Sequence, residues 1–193
     1  MRIGVLALQG DFVEHIEMLK RAGVAGIEVR LPRDLVEIDG LIIPGGESTS
    51  IGKLAVLYDL IEPIRKLAET QPVWGTCAGA IFLSKDVHHQ QPVLGLMDIV
   101  VRRNAFGRQL DSFEIDLDVP ALAAGVGDEP RPFHAIFIRA PLIEGVSADA
   151  EVLATLPDGR IVAVRERNLL ATSFHPELTG DDRFHRYFLS FRR

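Results

Sequence analysis

Short apolar runs alternate with segments of helical periodicity over residues 3–84, and this alternation limits the possible folds more than any other feature. The continuous apolar run at residues 3–8 predicts a buried strand, and residues 26–31, 40–44 and 72–76 predict three more strands. After the first run, Phe12, Ile16 and Leu19 recur at helical spacing, and Gly23 follows as an expected left-handed helix end. Because parallel strands must be joined by crossover segments of this kind, this part of the chain predicts a doubly wound sheet.

The pattern changes in the second half of the chain. Before the change, two further helices are expected, at residues 50–68 with an interruption near Pro63 and at residues 78–84. From residue 98, alternating strands follow one another without helical stretches, for example at residues 112–119, 135–140, 151–156 and 160–166. Residues 120–132 predict a surface loop and residues 181–191 a closing helix. The expected fold class is α/β, with three α/β/α layers, a mostly parallel central sheet and antiparallel additions, in a single domain over residues 1–193.

Charge and cysteine content exclude several classes of partner. The formal net charge is -6 and the sequence pI is about 5.5, so the positive surface that drives binding to nucleic acids or anionic membranes is not expected. With one cysteine, the chain forms neither an internal disulfide nor a thiolate metal cluster. No apolar run approaches the roughly 18 residues of a membrane helix. We therefore expect a soluble, cytoplasmic protein.

The only cysteine, Cys77, lies in the sequence Gly75-Thr76-Cys77-Ala78-Gly79. This spacing is typical of a nucleophile elbow, a sharp strand-to-helix turn that presents its side chain above the sheet. The N–H groups and positive dipole end of a helix N-terminus stabilise a thiolate, the reactive form of cysteine. A lone cysteine is more often an inert buried residue, but the flanking glycines and the strand-helix context favour a nucleophile.

A thiolate nucleophile needs a base, and the sequence His175-Pro176-Glu177 supplies the strongest candidate. Residues two apart on an extended segment point the same way, so His175 and Glu177 are expected to share a face. A carboxylate beside an imidazole fixes its tautomer and stabilises the imidazolium, as in a catalytic triad. The alternative is a His-Pro turn with a solvated Glu177.

The other histidines are expected to be structural or solvent-facing. They are His15 on the polar side of the first helix, His88 and His89 in a loop, His134 in a strand and His185 in the last helix. A metal site built from His175, Glu177 and His185 has no recognised ligand spacing, so no metal is expected. The sequence contains no P-loop pattern and no lysine clearly placed for a Schiff base, so no cofactor is expected either.

Acyl transfer also needs hydrogen-bond donors for an oxyanion, and Gly45 and Gly46 lie where such donors are needed. They follow the third predicted strand, at the sheet edge where open α/β proteins bind ligands. Glycines allow backbone N–H groups to turn toward a developing negative charge. A second interpretation, compatible with the first, is a tight turn that opens a helix with Ser48 as its cap.

Several motifs carry a resemblance to a known family. The Gly-Gly turn, the GTCAG elbow and the distant HPE resemble the class I, triad-type glutamine amidotransferases, which have a flavodoxin-like fold and hydrolyse the side-chain amide of glutamine. More narrowly, the chain resembles the glutaminase subunit of two-component pyridoxal 5'-phosphate synthases in the segments LQGDFVEH, PGGESTS, GTCAG, RRNAFGRQLDSFE, FIRAP and SFHPELTGDDRFHRYF. Residues 88–92 and 120–132 match no motif of that family.

The resemblance implies a role for each matched residue. Cys77 would be the nucleophile, His175 the general base and acid, and Glu177 the residue that orients it. The implied glutamine contacts are Gly46, Glu47, Ser48, Arg103, Ile138 and Arg139. From the predicted chemistry, we expect an oxyanion hole at Gly45, Gly46 and Ala78.

The resemblance also implies a partner. This partner is a TIM-barrel synthase subunit that receives the ammonia and makes pyridoxal 5'-phosphate, in a large hetero-oligomer. Gln9, Gly10, Asp11 and His15 lie at the predicted active-site edge, and we expect them to contact it.

Two other functions remain open at this stage. One is a glutaminase subunit of another amidotransferase pathway, whose chemistry would be identical. The other is a redox-sensing or chaperone-like protein of the same architecture that uses the elbow cysteine alone. Such a protein needs neither the HPE pair nor the glycine turn, so glutamine hydrolysis distinguishes the two classes.

Overall fold

The computed structural model describes residues 1–103, 112–127 and 130–191; residues 104–109 of the RRNAFGRQ motif lie outside this range. The helices are α1 Phe12–Arg21, α2 Ser48–Leu57, α3 Ile61–Ala68, α4 Ala78–Leu83, α5 Pro120–Val126 and α6 Arg183–Leu189. The strands are β1 Arg2–Leu6, β2 Ala25–Val29, β3 Gly40–Ile43, β4 Val73–Thr76, β5 Ser84–Asp86, β6 Met97–Arg102, β7 Ser112–Leu117, β8 Phe133–Ile138, β9 Leu142–Val146, β10 Glu151–Thr155, β11 Ile161–Glu166 and β12 Leu169–Thr172. None of these helices has the length and apolar composition needed to span a bilayer.

The strands form one large mixed sheet and one separate hairpin. In the large sheet the order is β2-β1-β3-β4-β12-β11-β9-β6-β5, and β10 pairs with β11. The strands from β2 to β12 in this order are parallel, whereas β11 and β9 join the sheet through antiparallel pairs. The hairpin consists of β7 and β8. This topology confirms the predicted parallel centre with antiparallel additions.

Apolar side chains fill the space on both faces of the large sheet. Residues of one strand alternate between the faces, so Val73 and Trp74 of β4 belong to two different apolar clusters. The first cluster includes Phe82 of α4, together with residues of α2 and α3. The second includes Leu19 of α1 and Phe184 of α6, together with the β7–β8 hairpin. Helices therefore cover both faces, as the predicted three-layer fold requires.

The prediction of a loop over residues 120–132 is wrong for its first half, where α5 forms. Pro120 occupies the first turn, where a missing N–H removes no intrahelical hydrogen bond. Gly127 follows the helix with φ of 72°, a left-handed conformation typical of a glycine helix end. Leu122 is fully buried and fixes the helix to the second apolar cluster.

The interruption expected near Pro63 lies a few residues earlier. Helices α2 and α3 are separated at residues 58–60, where Asp59 has a positive φ of 54°. Pro63 instead lies in the first turn of α3. It is tolerated there because the N–H groups of a first helical turn have no intrahelical acceptor.

Candidate active site

Cys77 lies at the sharp turn between β4 and α4. Its φ of 48° and ψ of -108° are strained for a residue with a side chain. The N–H of Cys77 donates to the carbonyl of Thr172 at 2.8 Å. A Cβ atom on Gly75 would overlap the backbone of Gly79, and one on Gly79 would overlap the carbonyl of Ile43. The turn therefore requires both glycines, and its geometry is that of a nucleophile elbow.

His175 and Glu177 lie just beyond β12, the strand that pairs with β4. The N–H of His175 donates to the carbonyl of Ile136 at 2.9 Å, and the short 3-10 turn Pro176–Leu178 follows. Nδ1 of His175 lies 2.7 Å from Oε1 of Glu177, and the ring lies close enough to the sulfur of Cys77 for an electrostatic interaction. Both His175 and Glu177 are buried. The structure thus brings together the three side chains that the sequence singles out.

The surroundings of His175 favour a charged ring. Burial opposes the charge, but hydrogen bonds and charge interactions with Cys77 and Glu177 raise the pKa of His175 to about 11. Burial also raises the pKa of the Glu177 carboxyl, although the hydrogen bond and positive charge of His175 act against this increase. The arrangement stabilises an imidazolium between the sulfur and the carboxylate.

Gly45 and Gly46 follow β3 and form a turn beside the imidazole. The N–H of Asp11 donates to the carbonyl of Gly45 at 3.2 Å, and the N–H of Glu47 donates to the side-chain oxygen of Gln9 at 2.6 Å. Gly46 has φ of 149°, which side-chain-bearing residues rarely adopt. A Cβ atom on Gly45 would collide with the imidazole. Both glycines are therefore needed for this turn to approach the ring.

Glu47, rather than Ser48, is the N-cap of α2. Its carboxylate accepts hydrogen bonds from the backbone N–H groups of Thr49 and Ser50 at 3.1 and 2.7 Å, and it pairs with Arg103 at 2.9 Å. Partial burial acts against ionisation, but the hydrogen bonds from Ser50 and Thr49 lower the pKa of Glu47 to about 2. Ser48 is the first helical residue, so the interpretation that made it the cap is wrong. Glu47 and Arg103 form an ion pair in the wall of the site.

A cavity of about 420 Å³ opens above Cys77 and His175. Its volume is in the usual range for sites that bind small molecules. The expected glutamine-contacting residues lie in its wall: Gly46, Glu47, Ser48, Arg103, Ile138 and Arg139. Ala78 also lines the cavity, as do Gln9, Gly10 and Asp11 from the expected partner segment. Gly45 and Glu177 do not line the cavity.

Comparisons with known proteins agree with this arrangement. Residues 5–192 match the SNO glutamine amidotransferase family. The chain belongs to this family. A protein of Herpetosiphon aurantiacus named pyridoxal 5'-phosphate synthase subunit PdxT is 60% identical to this amidotransferase over 98% of the chain and 99% of its own length. A protein of the same name from Moorella thermoacetica is 60% identical, with 98% of each chain covered.

A solved structure extends the agreement to the fold. A crystal structure described as a glutamine amidotransferase is 49% identical to this chain and covers 98% of both chains, with a TM-score of 0.91. The predicted resemblance and the predicted fold class are therefore both confirmed.

The amidotransferase contains a buried histidine, His15, for which the prediction of a position on the polar side of α1 is wrong. His15 is fully buried rather than on the polar side of α1. Its Nε2 lies 3.2 Å from Oγ1 of Thr76, and its Nδ1 lies 3.0 Å from Nε2 of His185. The helical pattern does carry the signal, because His15 lies three residues after Phe12 and four before Leu19, on the face that packs against the sheet.

The burial of His15 also limits its role in docking. A side chain with no exposed surface cannot contact a partner directly, so His15 does not belong to an interface in this conformation. Gln9, Gly10 and Asp11 are partly exposed and remain the predicted contact segment.

Asp11, His175 and Glu177 also place three potential metal-ligand atoms within 4.8 Å of one another. Oδ2 of Asp11 lies 3.4 Å from Nδ1 of His175, but that nitrogen is already hydrogen-bonded to Glu177. A metal ion would need the Nδ1 lone pair and would compete with this bond. The carboxylate-imidazole pair therefore accounts for the cluster without an ion. His185, the third ligand considered from the sequence, lies behind His15 and outside this group.

Proposed function

We propose that this amidotransferase hydrolyses L-glutamine to L-glutamate and ammonia, as the glutaminase subunit of a pyridoxal 5'-phosphate synthase. The observation that supports hydrolysis is that Cys77 and His175 line one open cavity and interact electrostatically, while His175 is hydrogen-bonded to Glu177. The pathway is supported by relatives named as a subunit of that synthase. Residues 1–193 act as one glutaminase domain in this proposal, because both apolar layers share one sheet.

The first step is attack of the Cys77 thiolate on the δ-carboxamide carbon of glutamine. As the carbon-sulfur bond forms, the π electrons of the carbonyl move to oxygen, and the N–H of Ala78 and the Gly45–Gly46 turn hold the oxyanion. His175 then gives its proton to the departing nitrogen. The carbon-nitrogen bond breaks, ammonia leaves, and a thioester to Cys77 remains.

The charge of His175 changes during this cycle in the direction that the chemistry needs. While the thiolate is present, its negative charge helps to keep a proton on the ring. Acylation removes this charge, so the pKa of His175 falls and the neutral ring takes a proton from the water that attacks the thioester. Glu177 keeps the ring oriented throughout and stabilises the imidazolium that forms again. Glutamate leaves and the thiolate is restored.

Glutamine is recognised at the walls of the cavity. Arg103 and Arg139 supply cationic groups for the α-carboxylate of the substrate. The carbonyl of Ile138, which lies 3.9 Å from the sulfur of Cys77, and the carboxylate of Glu47 supply acceptors for the α-ammonium group. Ser48 and Gly46 complete this wall.

The ammonia passes to a TIM-barrel synthase subunit within a large hetero-oligomer. Ammonia reacts only as the unprotonated base, so a direct passage prevents its loss to water. The docking segment includes Gln9, Gly10 and Asp11. Because Gln9 accepts the hydrogen bond of the N–H of Glu47, a partner on this segment acts directly on the turn at Gly46 and its oxyanion donors. A reducing compartment, the cytoplasm, keeps the Cys77 thiol available.

The test is ammonia release from glutamine, measured for this chain alone and together with the synthase subunit. We expect weak release alone and a clear increase with the partner, and no turnover by a Cys77→Ser variant that folds normally by circular dichroism. Equal rates in both conditions would contradict the coupling. No release in either condition would contradict the glutaminase assignment, and activation by a different acceptor synthase would support another amidotransferase pathway.

A further inference from the structure

A chain of buried polar side chains continues from Glu177 into the interior of the protein. Oε1 of Glu177 lies 2.7 Å from Nδ1 of His175, whereas Oε2 lies 3.3 Å from Nε2 of His15. On its other side, Nδ1 of His15 lies 3.0 Å from Nε2 of His185. Both His15 and His185 are completely inaccessible to solvent. The reaction described above gives neither of them a task.

The protonation sites of these buried side chains follow from one atom that has no hydrogen-bond partner. Among the described residues, Nδ1 of His185 is buried and has no hydrogen-bond partner. A buried N–H without an acceptor is more costly and rarer than an unpaired lone pair, so this nitrogen carries no hydrogen. Burial lowers the pKa of His185 to about 3, so the ring is neutral at pH 7. Its single N–H therefore lies at Nε2 and donates to Nδ1 of His15.

The tautomer of His15 is then fixed as well. Burial, followed by electrostatic interactions with His185 and His175, lowers the pKa of His15 well below its usual value, so this ring is also neutral. Since Nδ1 accepts from His185, Nε2 carries the hydrogen. It points toward two oxygens, Oγ1 of Thr76 at 3.2 Å and Oε2 of Glu177 at 3.3 Å. The opposite tautomer would direct a lone pair at the carboxylate, which is repulsive.

We propose that His15 is a positioning residue for Glu177, and that His185 fixes the tautomer in which His15 can act. Oε2 of Glu177 has no well-formed hydrogen bond within the described part of the chain. The N–H of His15 lies beside this oxygen, with 3.3 Å between Nε2 and Oε2, and its dipole stabilises the carboxylate and opposes its rotation away from His175. The same N–H also points toward Oγ1 of Thr76, the last residue of β4. It therefore links the carboxylate to the strand that immediately precedes Cys77. This inference rests on the proposed glutaminase chemistry.

Kinetics of two variants at position 15 test the proposal. His15→Leu removes the donor, whereas His15→Gln keeps an amide N–H near the position of Nε2. We expect His15→Leu to lower kcat by about 10- to 100-fold with little change in KM, as for a misplaced catalytic group, and we expect His15→Gln to keep most of the activity. A loss of thermal stability alone, with kcat unchanged, or equal losses in both variants would overturn the proposal.

The pH dependence gives a second readout. The titratable groups that face Glu177 are His175 on its own turn, Asp11 before α1 and His15 on α1, with Cys77 and His185 beyond them. Without the donor at position 15, the buried carboxylate binds a proton more readily. The acid limb of kcat therefore moves to higher pH in His15→Leu and stays in place in His15→Gln. An unshifted limb in His15→Leu would contradict a positioning role.

Two measurements keep this proposal separate from the proposed function. The rate of Cys77 alkylation by iodoacetamide reports on the sulfur-imidazole pair without glutamine, and its pH midpoint should rise in His15→Leu, whether or not the enzyme acts on glutamine. In the unaltered protein, ¹⁵N NMR should show both His15 and His185 as neutral tautomers protonated at Nε2. A His15 ring protonated at Nδ1 would overturn the proposal even if His15→Leu failed to fold.

Discussion

Glu177 is the residue on which the charge distribution of the site depends. Its carboxylate lies 2.7 Å from His175 and is buried, so solvent screens its charge weakly. Asp11 also approaches the ring, with Oδ2 at 3.4 Å from Nδ1, but its side chain is 39% exposed. Solvent weakens the second interaction. The two carboxylates therefore allow a comparison of a buried and an exposed charge beside one imidazole.

Replacement of Glu177 by glutamine is expected to lower kcat for glutamine hydrolysis by about 10²- to 10⁴-fold, because a neutral amide does not stabilise the imidazolium. The pKa of His175 should fall for the same reason, which NMR titration of the ring can measure. Asp11→Asn is the matched control and should lose less than about tenfold in kcat. Similar losses in both variants would show that the buried charge has no special role.

The sequence predicts Cys77, His175 and Glu177 as a group because the glycines of the elbow and the His-Pro-Glu spacing are local patterns. The partnership of His15 with His185 is different. These two residues are 170 positions apart, and no local pattern encodes their contact. Histidine also counts as a polar residue in a hydrophobic pattern. The pattern of α1 therefore predicts that His15 faces solvent, although it lies on the apolar face of the helix. Only the tertiary structure shows that the two rings are hydrogen-bonded to each other.

Among the secondary structure elements, the unit formed by β4 and α4 is tightly constrained by backbone contacts. Cys77 has a strained backbone, and the first turn of α4 lies directly against the end of β3. This close approach holds the elbow in place, because backbone atoms cannot move aside as a side chain can.

Gly79→Ala tests this close approach. The new methyl group would overlap the carbonyl of Ile43, so we expect the free energy of unfolding to fall by about 1–3 kcal/mol and glutaminase activity to fall with it. Gly180→Ala is the control, because a Cβ atom at this exposed position meets no atom within 4 Å, and its effect should stay within about 0.5 kcal/mol. Urea unfolding of both variants gives the comparison, and equal stabilities would contradict it.

The elements differ in how well the sequence predicts them. Strands β1, β3 and β4 are buried on both sides and therefore appear as continuous apolar runs. Helix α5 has seven residues, most of them alanine, glycine or valine, and no charged face. Its periodicity is too weak to predict a helix, and it is stabilised by the contact of Leu122 and by α6. Short elements of this kind depend on packing that lies elsewhere in the sequence.

For the whole molecule, the buried His15 and His185 contribute to the way stability depends on pH. Folding lowers the pKa values of His15 and His185 below about 6.5, the value of an exposed histidine. Below that pH the unfolded chain binds protons that the folded protein does not bind. The free energy of unfolding therefore decreases as the pH falls, by up to about 1.4 kcal/mol per pH unit for each ring.

Urea unfolding at pH 6.5, 5.5 and 4.5 can measure this slope, and His185→Gln should reduce it by about 1.4 kcal/mol per pH unit. His134→Gln is the control. Hydrogen bonds to Asp116 and then Glu114 raise the pKa of His134, so its contribution is complete below pH 6.5 and is lost only as the pH rises through the raised value. The His134→Gln substitution should therefore not reduce the slope of the free energy of unfolding against pH below pH 6.5. An unchanged slope in His185→Gln would mean that His185 is charged in the folded protein.

The pairing of β4 with β12 has a consequence for how such chains diversify. Thr76 pairs with Thr172 at the end of these two strands. Cys77 follows Thr76 by one residue and His175 follows Thr172 by three, so both side chains lie at the same edge of the sheet. Adjacent strands, and not the length of polypeptide that separates them, set the distance between nucleophile and base. Evolution can therefore lengthen, shorten or decorate loops of the intervening stretch that do not contact the site, and new chain ends engineered at the surface turn of residues 157–159 would leave the alignment of the reacting groups intact.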